Sequence, residues 1–90
     1  MTDDDTRIRD LREQLTELDR RIVDALNERI GLVAELGRVK EELGVAFLDP
    51  DREQWLHDHL AAHNRGPLSE EGLRQFYADV LALTKRELGR

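Results

Sequence analysis

Apolar residues recur along the first half of the chain at spacings that alternate between three and four positions, over about residues 6–43. We call this series the seam, and it comprises Ile8, Leu11, Leu15, Leu18, Ile22, Ala25, Arg29, Leu32, Leu36, Val39 and Leu43. No proline interrupts the seam, and Gly31 and Gly37 lie off it. A sustained heptad of this kind predicts one long helix that packs through a coiled-coil-like stripe. At a rise of roughly 1.5 Å per residue, the helix is about 60 Å long.

A second, shorter helix is predicted over about residues 50–64. A connector separates it from the first helix and begins at Gly44, a residue type that commonly ends helices. Asp49 is a favoured N-cap, and Pro50 suits the first helical position. Trp55 lies on the apolar face of this helix and is expected to pack into the core.

A third helix is predicted over about residues 70–88, with Ser69 as its N-cap. Its apolar face includes Phe76 and Tyr77, which are also expected to pack into the core. The sequence contains no strand pattern. It therefore predicts an all-α fold of three helices, one of them very long and N-terminal, in a single domain over residues 1–90.

The predicted first helix is too long for two short helices to cover. A compact domain of this size has a radius of gyration of about 12 Å, far less than a helix of about 60 Å. An apolar seam that its own chain leaves uncovered can be buried by another copy, and a closed symmetric dimer is the simplest arrangement. We therefore expect an intertwined homodimer in which the long helices are antiparallel.

The charge balance argues against several classes of partner. The chain has 20 acidic and 14 basic residues and a formal net charge of −6, which does not favour nucleic acid or an anionic membrane. It has no cysteine, so neither disulfides nor thiolate chemistry are expected. Residues 1–5 are interpreted as an acidic leader outside the helix, unlike a signal peptide, and no apolar run approaches membrane length. These features predict a cytoplasmic protein.

Arg29 stands on the seam, where a cation is costly unless an anion meets it. Lys40 follows on nearly the same side of the helix, because the two positions differ in direction by about 20° and lie roughly 16 Å apart along the axis. Such a pair can hold the two ends of a small anion. The alternative is that Arg29 pairs with a glutamate of another helix while Lys40 is solvated. Arg12 is about 25 Å from Arg29 in one chain, but an antiparallel partner can bring it to the same site.

A second charged cluster consists of Asp49, Arg52 and Glu53, which share one face of the second helix. These residues are candidates for ligand contacts, and the alternative is capping and charge pairing at a helix start.

His59 and His63 also share a helical face, but no acidic or cysteine ligand accompanies them, so no metal site is predicted. No nucleophile with an adjacent base, phosphate loop or nucleotide motif is present, and no cofactor is predicted.

Several short motifs follow one another in order along the chain. They are Leu11-Arg12-Glu13 with Leu18-Asp19, Leu26 with Glu28-Arg29, Gly37-Arg38-Val39-Lys40, and Asp49-Pro50-Asp51-Arg52-Glu53. Their order and spacing over roughly residues 7–60 resemble the all-helical class of chorismate mutases. The short end after the third helix resembles the compact actinobacterial members. The resemblance implies two intertwined long-helix chains, with two active sites that each draw on both chains.

The resemblance also implies a role for each candidate residue. Arg12 of the partner chain and Arg29 would bind the two substrate carboxylates. Lys40 would contact a carboxylate and the ether oxygen, and Glu53 would hold the ring hydroxyl. The positions expected to line the site around the second helix are Asp49, Arg52 and Glu53.

The third helix departs from the family pattern at two positions. Family members often have a glutamine that donates to the ether oxygen, and Glu87 occupies that position here. A polar position one turn earlier falls on Leu83, with Thr84 next to it. On this basis Lys40, Glu87 and Arg29 are the predicted catalytic residues.

The implied activity is the pericyclic rearrangement of chorismate to prephenate in phenylalanine and tyrosine biosynthesis, without a metal or cofactor. The same scaffold suits an isochorismate pyruvate lyase or a mutase for 4-amino-4-deoxychorismate, since the Glu53 carboxylate can pair with a ring ammonium as readily as with a hydroxyl. A non-enzymatic helical dimer or regulatory module is the alternative of another class, but it has no use for a seam arginine. The resemblance to actinobacterial members further implies stimulation by the first enzyme of the shikimate pathway.

Overall fold

A computed structural model describes residues 2–89, which form three helices and, within that range, no strand. Helix α1 spans Asp3–Leu43, α2 spans Pro50–His63 and α3 spans Glu70–Glu87. The predicted all-α fold with one very long N-terminal helix is therefore confirmed. The chain forms two compact units, of which the first ends at Leu32 and the second begins at Val33.

Helix α1 begins earlier than predicted, because Thr2 caps it. The Asp5 amide donates to the Thr2 hydroxyl at 3.2 Å, and the Thr2 amide donates to the Asp5 carboxylate at 3.4 Å. This reciprocal pair satisfies amides that have no partner inside the helix. Asp3, Asp4 and Asp5 form the first helical turn, where the helix dipole favours negative charge. The interpretation of this segment as a leader outside the helix is thus wrong for residues 3–5.

The end of α1 agrees with the sequence prediction. Gly44 has φ +69°, a left-handed conformation that glycine adopts without steric cost. The Val45 amide donates to the Lys40 carbonyl at 2.8 Å, and the Gly44 amide donates to the Glu41 carbonyl at 3.2 Å. This pair of bonds satisfies carbonyls of the last turn and directs the chain away from the helix.

The predicted caps of the two shorter helices are confirmed. The Asp49 carboxylate accepts from the Arg52 amide at 3.1 Å, and Pro50 takes the first position of α2. The Ser69 hydroxyl accepts from the Gly72 amide at 3.0 Å at the start of α3. A hydrogen bond spans the loop between these helices: the side-chain amide of Asn64 donates to the Leu68 carbonyl at 2.8 Å.

Helices α2 and α3 pack against each other in the second unit. Leu73, Val80 and Thr84 are buried along α3. Trp55 is 50% exposed and Phe76 is 40% exposed in this chain, so neither ring is buried in the core of a single chain. Trp55 stacks on His59, and Phe76 stacks on Tyr77, so these rings pack locally along their own helices.

The large apolar residues of the seam are exposed in this chain, with fractions between 43% and 71%. They are Ile8, Leu11, Leu15, Leu18, Ile22, Leu32, Leu36, Val39 and Leu43. Arg29, the cationic position of the same series, is half-buried. Many large apolar residues exposed on one helix are uncommon on monomeric proteins and usually mark an interaction surface.

Across residues 2–89, no helix combines the length and the apolar character that crossing a membrane would require.

Candidate active site

The first unit carries two of the predicted carboxylate-binding residues on α1. Arg12 is exposed, and its carbonyl accepts from the Thr16 hydroxyl at 2.9 Å. Its surroundings are strongly charged, since Arg9, Glu13 and Arg20 line the same shallow depression. Arg29 lies farther along the same helix, about 25 Å away at the helical rise. A single copy of the unit therefore cannot direct both guanidinium groups at one small dianion.

Lys40 of the second unit is held by the connector that follows α1. Its ammonium donates to the Phe47 carbonyl at 3.1 Å and lies 5.9 Å from the centre of the Phe47 ring. The Lys40 side chain is half-buried. An ammonium has three donors, so one bond to a carbonyl fixes its position and leaves donor capacity for a ligand oxygen. No sequence pattern singles out Phe47, so this contact was not predicted.

The predicted cluster at the start of α2 serves two local functions. Asp49 is the N-cap, which is the capping alternative considered for this cluster. The Arg52 guanidinium lies 4.3 Å from the centre of the Trp55 ring, a cation–π geometry. Stacking of this kind limits the rotamers of a long cationic side chain while the guanidinium edge stays accessible to an anion.

Glu53 is the member of the cluster that reaches another helix. Its carboxylate lies 3.5 Å from the ammonium of Lys85 near the end of α3, and the two side chains are 41% and 39% exposed. Lys85 is not among the residues predicted from the sequence. One signal could have identified it: two helices joined by a short loop and packed side by side run antiparallel, which places the start of α2 beside the end of α3.

The structure distinguishes the three predicted residues of α3. Thr84 is buried, with 6% of its surface exposed, and its hydroxyl donates to the Val80 carbonyl at 2.8 Å. Leu83 is half-buried, and Glu87 is an exposed residue at the last position of the helix. Of the two adjacent positions Leu83 and Thr84, the polar one is therefore the one that faces the interior.

A cavity of about 170 Å³ lies between α2 and α3. Its lining combines apolar side chains with acidic and basic groups, contributed by Glu53, Leu56, His57, Arg74, Tyr77, Ala78 and Leu81. Glu53 is the predicted site residue that lines this cavity.

Within residues 2–89, no three histidine or carboxylate side chains converge in the manner of a metal site. The histidine His59 of the predicted helical pair stacks on Trp55, with ring centres 4.7 Å apart.

The sequence comparisons agree on one family. The family model described as chorismate mutase type II matches residues 11–87. Over 79 residues the chain is 33% identical to a bifunctional chorismate mutase/prephenate dehydratase of Stutzerimonas stutzeri, covering 80% of this chain and 21% of that protein. Over 54 residues it is 28% identical to a chorismate mutase of Methanocaldococcus jannaschii, covering 60% of this chain and 54% of that protein. The chain thus spans about a fifth of the length of the bifunctional relative and about half that of the second.

The structural comparison extends the likeness to the fold. A chorismate mutase structure (form II) from Thermus thermophilus superposes with a TM-score of 0.85 and 34% sequence identity, covering 93% of this chain and 96% of that chain. The resemblance stated from the sequence motifs is therefore confirmed. With a family model that matches most of its length and a close structural counterpart of similar size, this chain belongs to the type II chorismate mutase family.

Proposed function

We propose that this chain is a chorismate mutase, an isomerase that rearranges chorismate to prephenate for phenylalanine and tyrosine biosynthesis. The observation that carries the proposal is the family match over residues 11–87, which includes every predicted site residue from Arg12 to Glu87. The reaction is pericyclic, so it needs neither a nucleophile nor a metal or organic cofactor. The protein has to hold the enolpyruvyl arm over the ring and stabilise charge on the breaking ether bond.

The proposed roles match the chemistry of the side chains. Arg29 and the Arg12 of a partner chain bind the two carboxylates, for which the planar guanidinium is well suited. Lys40 donates to a carboxylate and to the ether oxygen. The bond from Lys40 to the Phe47 carbonyl supports this role, because a donor that is already fixed needs little reorganisation when charge develops. Glu53 accepts from the ring hydroxyl.

The remaining proposed contacts lie at the two ends of the α2–α3 pair. At the start of α2 they come from Asp49 and Arg52, which line the substrate. At the end of α3, Glu87 faces the ether oxygen, and Leu83 and Thr84 lie one turn earlier. The burial of Thr84 supports it as the polar member of that pair.

We further propose that the active species is an intertwined antiparallel homodimer. The exposed seam supports this assembly, because a second copy would remove its apolar residues from water. The separation of Arg12 from Arg29 along one helix supports it independently, since only a second chain can bring the two cations to one substrate. We propose that the reaction takes place in the cytoplasm, in line with the expectation from the sequence.

The decisive experiment is turnover with purified protein. Loss of chorismate absorbance should be followed with time, and the product should be identified as prephenate. Arg29→Ala serves as the control for a contaminating activity, because it should remove nearly all of the signal. The same assay with isochorismate and with 4-amino-4-deoxychorismate tests the other enzymes that the scaffold suits. Pyruvate release from isochorismate would reassign the chain as a lyase, and turnover of none of the three substrates would favour a helical dimer without catalytic activity.

A further inference from the structure

The ion pair between Glu53 and Lys85 links two helices. By contrast, the ion pairs of Arg7, Arg20 and Arg21 join residues three or four positions apart within α1. Those contacts are helix-surface pairs of small energetic effect. The Glu53 carboxylate instead lies 3.5 Å from an ammonium that the packing of α2 against α3 brings to it.

Glu53 also lines the cavity between these helices, a space that a ligand group can enter. A carboxylate has about four lone-pair sites, and one cation does not use them all. The pair is about 40% exposed in the free chain, so water screens it there. A bound substrate that displaces this water would strengthen every charge interaction around Glu53.

We propose that Lys85 is a positioning residue that orients Glu53 and compensates its charge, so that the site selects a ring hydroxyl over a ring ammonium. This inference rests on the proposed function and concerns its substrate class. An unpaired carboxylate attracts an ammonium more strongly than a hydroxyl. A carboxylate already paired with Lys85 gains less from a second cation, and the two cations repel each other. A hydroxyl carries no charge and can donate to a remaining lone pair.

The test compares chorismate with its analogue 4-amino-4-deoxychorismate, in which an amino group replaces the ring hydroxyl. The variant is Lys85→Met, which keeps much of the side-chain stem and removes the charge. Arg86→Met is the matched control, because Arg86 is the other basic residue in the last turn of α3 and its loss changes the net charge and the helix dipole equally. The ratio of kcat/KM for the amino substrate to kcat/KM for chorismate should rise about fivefold in Lys85→Met, a size set by the partial exposure of the pair. Arg86→Met should leave the ratio unchanged, and Lys85→Arg should restore it.

Two further variants separate orientation of Glu53 from a general effect of charge. In a Glu53→Gln background, Lys85→Met should no longer shift the ratio, because the two residues act as one unit. Arg74→Met removes another cation that lines the cavity, and an equal shift there would overturn the specific role of Lys85. An unchanged ratio in Lys85→Met would also overturn this role, since a merely structural link between helices would lower both activities together. The same shift with Glu53 already replaced would overturn it as well, because Lys85 would then not act through Glu53.

Wild-type turnover of chorismate in the same series distinguishes this inference from the proposed function. An active wild type with no change in selectivity in Lys85→Met refutes the role of Lys85 alone. A wild type without turnover refutes the proposed function, and calorimetric binding of the two compounds then decides about Lys85. A shift in their relative affinities that is specific to Lys85→Met supports it, and equal relative affinities or no binding refute it.

Discussion

The ammonium of Lys40 donates a hydrogen bond to the carbonyl oxygen of Phe47 at 3.1 Å, which ties the last turn of α1 to the connector before α2. The acceptor is a backbone atom, so the contact does not depend on the chemistry of the Phe47 side chain. This relationship separates the role of the Lys40 charge from the role of the aromatic ring that lies 5.9 Å away.

Replacement of Lys40 by methionine should reduce kcat by about 100-fold or more, because it removes a donor aimed at developing charge. Phe47→Leu should stay within about threefold of the wild type, since it keeps the backbone carbonyl and removes a cation–π contact on the order of 0.5–1 kcal/mol. Steady-state kinetics with chorismate measure the two effects. Equal losses in both variants would show that the ring, and not the backbone carbonyl, holds Lys40 in place.

The exposed seam predicts that the chain sediments as a dimer at micromolar concentration without a folded monomer. Leu15→Lys should weaken or abolish this dimer, because each buried leucine contributes about 1.5–3 kcal/mol and symmetry removes two of them. Gln14→Lys makes the same change of charge one position off the seam and should leave the dimer intact. Analytical ultracentrifugation and circular dichroism provide the readouts. A stable, well-folded monomer of the wild type would end the shared-site proposal.

Arg12→Ala and Arg29→Ala should each be nearly inactive when refolded alone. Mixing them in equal amounts should restore about a quarter of the wild-type activity, because half of the dimers are mixed and one of the two sites in each receives both arginines. The control is each variant denatured and refolded by itself. If mixing restores nothing, Arg12 does not act across the interface.

Glu87 is expected to face the ether oxygen, where a donor is needed. An ionised carboxylate can only accept a hydrogen bond, and a protonated one can donate. Glu87→Gln introduces an amide that can donate, and it should therefore raise kcat for chorismate near neutral pH in steady-state kinetics. Glu71→Gln, at the opposite end of α3, controls for the change in net charge. An unchanged rate in Glu87→Gln would place this exposed residue outside the site.

The first enzyme of the shikimate pathway from the same organism should raise the activity of this chain, if the likeness to the stimulated actinobacterial members extends to their regulation. Rates with chorismate at increasing concentrations of that synthase give the measurement. A second shikimate-pathway enzyme at the same concentrations controls for non-specific stabilisation. An unchanged rate at saturating synthase would show that this enzyme does not stimulate the chain.

Local sequence chemistry determined where the helices begin and end. The Asp49 and Ser69 caps and the Gly44 stop each depend on backbone groups within a few residues, so each could be predicted without knowledge of the fold. The missed cap at Thr2 has the same local character, and the pair of Thr2 with Asp5 was available in the sequence. The seam was equally predictable, because its period follows from helix geometry alone.

Tertiary structure decided which side chains meet and which stay in water. Trp55 and Phe76 were expected in the core because they are large and apolar, but their exposure depends on which helix lies against them. Lys85 forms an ion pair with Glu53 because α3 packs beside α2. The two residues are too far apart in sequence for any helical spacing to relate them. Sequence periodicity specifies the face of a helix on which a residue lies, whereas the partner of that face is set by packing between elements, which no local pattern encodes.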